Sequence, residues 1–169
     1  MNLYGVTGWK NSGKTGLMER LVAHFSAQGL VVSTVKHAHH DTETDHPGRD
    51  SHRHRLAGAH EVLIASPRRW ALLHELRDTP EPPLADLLAH LSPCDLVLIE
   101  GYKTGLHPKI EVQRLATGQP LMAPDNPTIR AVASDTATHA TAGLGLHLPL
   151  FHLDDTPAIA AFIRREVGL

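Results

Sequence analysis

The chain has 169 residues, of which 41% are hydrophobic and 4% aromatic, and its formal net charge is −2. That length suits one domain, residues 1–169, with a core of Leu, Val, Ile and Ala, and a pI near 6.7 gives no general attraction to nucleic acid or anionic membranes. A lone Cys94, no apolar run of membrane-spanning length and no basic-then-apolar leader in MNLYGVTG argue against a disulfide scaffold, a helical membrane protein and a secreted precursor, so a cytoplasmic protein is expected.

LYGVT (3–7) is a short apolar run expected to form a buried strand. KTGLMERLVAHFSAQG then places Leu17, Leu21, Val22 and Phe25 on one helical stripe, with Gly29 at the C-terminal cap. LVVSTVK (30–36) reads as a second strand, and a polar segment runs from His37 to about Gly48. DSHRHRLAGA is expected to be a short helix and EVLIAS (61–66) a strand. Ser66 and Pro67 fit the N-cap and first position of a helix over PRRWALLHEL. After the linker RDTPEPP come a short helix, LADLLAHL, and the most apolar strand, CDLVLIE (94–100). KIEVQR and IRAVAS are further strands, followed by LPLFHL and a closing helix, TPAIAAFIRREVG. KIEVQR follows CDLVLIE too closely for a helical crossover, so an antiparallel edge position is expected for it. Alternating strands and helices predict an α/β fold, a mainly parallel sheet with helices on both faces.

Residues 8–15, GWKNSGKT, match the phosphate-binding loop pattern Gly-x-x-x-x-Gly-Lys-Thr, with an apolar strand before and an amphipathic helix after. Gly8 permits the tight turn and Gly13 lets backbone approach a phosphate. The loop residues Lys10, Asn11, Ser12, Gly13, Lys14, Thr15 and Gly16 are therefore the expected nucleotide contacts. Their amides and the positive end of the helix face phosphate, Lys14 bridges the β- and γ-phosphates, and the Thr15 hydroxyl can ligate Mg²⁺. The signature lysine of the partitioning-type ATPases is absent, since Trp9 stands where it would be and Lys10 is out of register. The expected fold is that of a P-loop NTPase.

Such a site also needs a carboxylate at the end of a neighbouring strand. Glu100 closes CDLVLIE on the side where ligands gather in open α/β sheets, and it is the candidate for Mg²⁺ and for catalysis with Lys14. Asp95, at the strand's start, suits a cap or solvent. The usual guanine-reading Asn-Lys-x-Asp is missing, and Ser134-Asp135 at the end of IRAVAS could supply the base contact or form an ordinary turn.

Seven of the fourteen histidines fall between His37 and His60. A metal site there would draw on His37, His39, His40 or Asp41, although His-x-His-His has no familiar zinc spacing. Nucleic-acid binding would use Arg49, Arg53 and Arg55 without the customary aromatics. A solvated loop is a third reading. The fourth is anion recognition by Lys36, Arg53 and Arg55, with Asp41 or Asp45 near Mg²⁺.

GWKNSGKT, KHAHHD, DHPGRDSHRHRLAGA, DLVLIEGYK and HPKIEVQR occur in this order over about residues 1–114. Together they resemble the molybdopterin-guanine dinucleotide biosynthesis protein B family. The resemblance implies a GTP- and Mg²⁺-binding homodimer with at most weak GTPase activity. It would act as an adapter beside the molybdenum cofactor guanylyltransferase, which joins GMP to molybdopterin. Lys36, His37, His39, Arg53, Arg55, Lys103 and Lys109 would then contact the precursor or other anions, and Arg114 would extend that basic surface. Neither nucleic acid nor a membrane is implied as a partner. No glutamine is evidently placed to orient water and no arginine stands out as a finger, and such parts supply factors of about 10³–10⁵ in related enzymes. Two other classes remain open on the residues alone: a small-molecule kinase, and a GTPase that delivers metal through its histidines.

Overall fold

The computed structural model describes residues 1–38, 45–136 and 147–169. The chain forms two compact units, one of Met1–His37 with Leu91–Leu169 and one of Ala38–His90. The larger unit holds β1 (Asn2–Gly8), α1 (Lys14–Ala27), β2 (Val32–Lys36), β5 (Leu96–Glu100), β6 (Lys109–Gln113), β7 (Ile129–Ser134), β8 (Leu150–His152) and α4 (Thr156–Val167). Its six strands make one sheet in the order β2-β5-β1-β6-β7-β8, with every neighbouring pair parallel. The smaller unit holds α2 (Asp50–Leu56), β3 (Glu61–Ala65), β4 (Trp70–His74) and α3 (Leu84–Ala89).

Alternate strand residues separate the two faces of the large sheet. Tyr4, Val6, Leu96, Leu98, Ile110, Val112, Ala131 and Ala133 point to one side, where they bury Leu17, Leu21 and Phe25 of α1 and Ile159, Ala160 and Ile163 of α4. The opposite side of β7 packs through Ile129 and Val132 on Leu121 and on Ala123, which opens the short 3₁₀ turn Ala123–Asp125. Helix α1 ends as its sequence predicts. Gly29 takes φ 85° and the Leu30 amide donates to the Phe25 carbonyl, the bond that closes a glycine-capped helix end.

Two expectations are corrected. PRRWALLHEL is not a helix: Trp70–His74 pairs antiparallel with Glu61–Ala65, in register from Glu61 with His74 to Ala65 with Trp70. The Ser66 hydroxyl binds the Arg69 carbonyl and amide, at 2.8 and 3.2 Å, so Ser66-Pro67-Arg68-Arg69 is the hairpin turn. The fixed φ of Pro67 serves a turn as well as a helix start, and cross-strand pairing decided between them. The antiparallel pairing of this fold therefore lies in β3–β4.

KIEVQR is the other correction, because β6 pairs parallel on both sides, with β1 and with β7. The connection from β5 is too short for a helix, and it crosses over β1 through a turn in which the Gly105 amide donates to the Tyr102 carbonyl at 2.9 Å. It packs where β1 has no side chain: a Cβ on Gly5 would lie 2.7 Å from His107 Nε2 and 2.8 Å from the Lys109 Cβ. Gly5 thus makes room for a helix-free crossover.

Candidate functional site

The loop Trp9–Gly13 leaves the end of β1 and enters α1. Gly8, at φ 146°, could not carry a side chain, since a Cβ would collide with the Val112 carbonyl oxygen and come within 2.7 Å of the Ser12 hydroxyl. Asn11 and Gly13 take φ of 64° and 102°, the left-handed region that asparagine tolerates and glycine favours. Gly13 occupies the N-cap of α1 without any side-chain hydrogen bond, and the first turn contains no acidic residue. The partial positive charge of the helix end and its first amides are thus left for an external anion. Helix α4, in the same unit, differs: the Asp155 carboxylate caps it by accepting from the Ala158 amide at 3.1 Å.

Lys14 folds back to donate to the Trp9 carbonyl at 2.7 Å. Burial pushes its pKa below the ordinary lysine value; Glu100 opposes that shift, and Lys103 and Lys36 reinforce it. The Thr15 hydroxyl donates to Glu100 Oε1 at 3.2 Å, and Lys36 Nζ lies 3.9 Å from the same oxygen. This convergence follows from register, because Lys36 pairs with Glu100 and Glu100 with Val6 at the carboxyl ends of β2, β5 and β1. A hydroxyl facing a carboxylate is an oxygen donor set suited to Mg²⁺. Beside it, Gly13, Lys14, Thr15, Gly16, Asn11 and Arg114 line a cavity of about 430 Å³. The buried Ser12 hydroxyl has no hydrogen-bond partner among the described residues and lies close to Gly8. The loop, the open helix end and the Thr15–Glu100 pair fit a magnesium-bound nucleotide.

The sequence-predicted residues fall into several groups. Lys10, Asn11, Ser12, Gly13, Lys14, Thr15 and Gly16 lie in the loop and first turn, with Glu100 beside them. His37 stacks on Tyr102, with ring centroids 4.4 Å apart, and its Cβ sits so close to Gly101 that a side chain there would be within 3.1 Å of it. Lys103 Nζ lies 4.1 Å from the centre of the Trp9 ring, a cation–π contact that joins the segment after β5 to the phosphate loop. Ser134 is buried, and its carbonyl accepts from the Leu153 amide. Asp135 Oδ1 accepts from the Leu115 amide at 3.2 Å and so steadies the turn Leu115–Thr117. Asp95 caps rather than floats free, accepting from the Val31 amide at 2.7 Å.

Lys109 is corrected: it is not on the surface. It is fully buried, and its ammonium donates to the Gly105 carbonyl and to Thr128 Oγ1 at 2.8 Å, with the Lys103 carbonyl at 3.5 Å. In the smaller unit Arg55 is bound to Glu75 at 2.6 Å and lies 3.9 Å from Asp45, while Arg53 lies 3.9 Å from Asp50. His39, His40 and Asp41 lie outside the described residues. Among the described residues no group of three or more His, Cys, Asp or Glu side chains converges, and no helix is long and apolar enough to cross a membrane.

Sequence reasoning passed over a second cavity of about 550 Å³, lined by Trp9, Lys10, Asn11, Arg114, Ala116, Thr117 and Gln119. It also set Arg114 only among surface charges. No sequence signal pointed to it, because its place depends on the parallel register of Val112 with Gly8, two residues before Arg114.

Residues 3–135 match the family described as molybdopterin guanine dinucleotide synthesis protein B. The chain is 37% identical over 164 residues to the molybdopterin-guanine dinucleotide biosynthesis adapter protein of Haemophilus influenzae, covering 95% of this chain and 86% of that one. It is 35% identical to the Escherichia coli adapter protein of the same name, covering 95% and 90%. The crystal structure of Bacillus subtilis MobB superposes with a TM-score of 0.76 at 28% identity, covering 99% of this chain and 98% of the other. The parallel sheet, the glycine-shaped loop and these matches agree: the chain belongs to the molybdopterin guanine dinucleotide synthesis protein B family.

Proposed function

We propose that this protein is a cytoplasmic GTP-binding adapter of molybdopterin-guanine dinucleotide biosynthesis, working beside the guanylyltransferase that joins GMP to molybdopterin. The observation that carries the reading is the uncapped, left-handed Gly13 at the mouth of α1, set next to the Thr15–Glu100 pair. In this reading the loop amides and Lys14 hold the β- and γ-phosphates, while Thr15 and Glu100 hold Mg²⁺ directly or through water. The ion would neutralise charge on the phosphate oxygens. Lys14 leaves the Trp9 carbonyl for phosphate, a favourable exchange of a neutral acceptor for an anionic one. Asp135 reads the guanine edge. Lys36, His37 and Lys103, grouped at the carboxyl ends of the strands, face the precursor or the partner enzyme, and His39, Arg53 and Arg55 are assigned the same anion-binding role on their chemistry alone. Hydrolysis is slow until a partner completes the site.

The protein acts as a homodimer in this reading. Leu63, Ile64, Trp70 and Leu72 of the β3–β4 hairpin are exposed, and a two-stranded sheet is marginal without further cover. A second copy supplies it.

Calorimetric titration of GTP, ATP and molybdopterin into one preparation, with and without Mg²⁺, tests the proposal. Magnesium-dependent GTP binding that Lys14→Ala abolishes, with far-ultraviolet circular dichroism unchanged, is the expected result. Equal GTP affinity in wild type and Lys14→Ala would overturn it.

A further inference from the structure

Strand β6 runs beside β1 with Val112 opposite Gly8, so β6 continues straight where β1 gives way to the phosphate loop. The next residues carry Arg114 over that loop. Its guanidinium reaches Gly13 closely: a Cβ there would lie 3.1 Å from Nε and 3.5 Å from Nη2. Arg114 also lines both cavities, the one with Gly13, Lys14, Thr15 and Gly16 and the one with Trp9, Thr117 and Gln119. It stands at their junction.

The other arginines near this unit's core are engaged. Arg20 donates to the Leu153 carbonyl and the Thr156 hydroxyl, at 2.8 and 3.0 Å, and Arg130 pairs with Glu166 at 3.1 Å. The Arg114 guanidinium has no carboxylate or carbonyl partner among the described residues. Five donors in a planar fork, directed along a backbone already shaped for phosphate, form an arrangement that favours bidentate contact with phosphate oxygens.

We propose that Arg114 is a phosphate-binding residue of the nucleotide site, supplied in cis by β6. It complements Lys14, with which it lines the same cavity. The inference rests on the GTP-binding reading above and deepens it. The Gly13 amide belongs to the part of such a loop that cradles the α- and β-phosphates. Arg114 therefore contacts the inner phosphates, next to Gly13. Its contribution is the same for a nucleoside diphosphate as for a triphosphate. This separates it from a finger that acts on the γ-phosphate alone.

The test is a titration of GTP and GDP, in Mg²⁺, into wild type, Arg114→Gln, Arg114→Lys and Lys14→Ala, with thermal melts confirming that each is folded. The expected result is that Arg114→Gln weakens GTP and GDP binding alike, by about tenfold or more. Arg114→Lys should recover only part of the loss, because an ammonium cannot form the fork. Because Arg114 is solvent-exposed, these variants should melt with the wild type. Unchanged affinity in Arg114→Gln with loss in Lys14→Ala would overturn the Arg114 proposal and leave the loop in place. A loss confined to GTP would also overturn it, in favour of a γ-phosphate contact. No loss in Lys14→Ala would overturn the nucleotide reading itself.

Discussion

The Thr15 hydroxyl and the Glu100 carboxylate meet at 3.2 Å, although 85 positions separate them in the chain. One opens α1 and the other closes β5, and the parallel register of β1 with β5 brings both to the same edge of the sheet. If this pair holds Mg²⁺, Glu100→Gln should erase most of the gain in GTP affinity that the ion confers, by about tenfold, while magnesium-free binding stays near wild type. Parallel titrations with Mg²⁺ and with a chelator decide it. A magnesium effect of full size in the variant would remove Glu100 from the ion's shell.

Asp135→Asn keeps an oxygen for the Leu115 amide, so the turn at Leu115–Thr117 should persist. The charge that would accept from guanine N1 and N2 is lost. The ratio of GTP to ATP affinity should fall by about tenfold or more, as measured by competition binding. An unchanged ratio would assign Asp135 to the turn alone.

Gly5→Ala places a methyl group 2.7 Å from His107 Nε2 and 2.8 Å from the Lys109 Cβ. The crossover would have to lift off β1, at a cost of about 2–3 kcal/mol. Urea denaturation should show a lower midpoint with an unchanged slope. Wild-type stability in this variant would show that the crossover is free to shift.

Lys109→Met removes the donor shared by the Gly105 carbonyl, the Lys103 carbonyl and Thr128 Oγ1. Burial already holds this ammonium below the ordinary lysine pKa, so its removal relieves some desolvation. The acceptors left behind outweigh that relief, because each uncompensated buried group costs about 1–3 kcal/mol. A net loss of about 2 kcal/mol in chemical denaturation is expected; a more stable variant would mean that the buried charge is a liability.

His107 is pushed down to about 4, first by burial and then by the positive Lys109. The folded state resists protonation more than the unfolded state, whose imidazole titrates near 6.5. This contribution to stability is therefore complete above about pH 6.5 and declines as pH falls toward about 4. The loss should reach on the order of 2–3 kcal/mol. Comparing wild type with His107→Gln across that window isolates the effect, since the variant should lack this part of the slope. Equal slopes would contradict it.

The phosphate loop was legible in sequence because its chemistry is local: two glycines, a lysine and a hydroxyl at fixed spacing between a strand and a helix. Glu100 was legible for a similar reason, standing at the end of the most apolar strand. The position of β6 was not, because it depends on Gly5 letting a helix-free crossover through, a contact between residues distant in sequence. The alternation Lys109-x-Glu111 reads as the wet side of an edge strand. Both side chains are buried instead, with Glu111 accepting from the Met122 and Ala123 amides at 2.8–3.0 Å, and burial raises its pKa. Polar residues that serve the backbone this way mimic a solvent face. At Pro67 the local signal favoured two outcomes, and only the pairing of Trp70–His74 with β3 chose between them.

The bare crossover over Gly5 also sets where the gene can be lengthened. A helix between two strands is joined to them through loops that can take extra residues, whereas residues 101–108 coil through a turn, with the Gly105 amide on the Tyr102 carbonyl, and pack His107 directly on Gly5 of β1. Reporter peptides should be rejected beside His107 in this crossover.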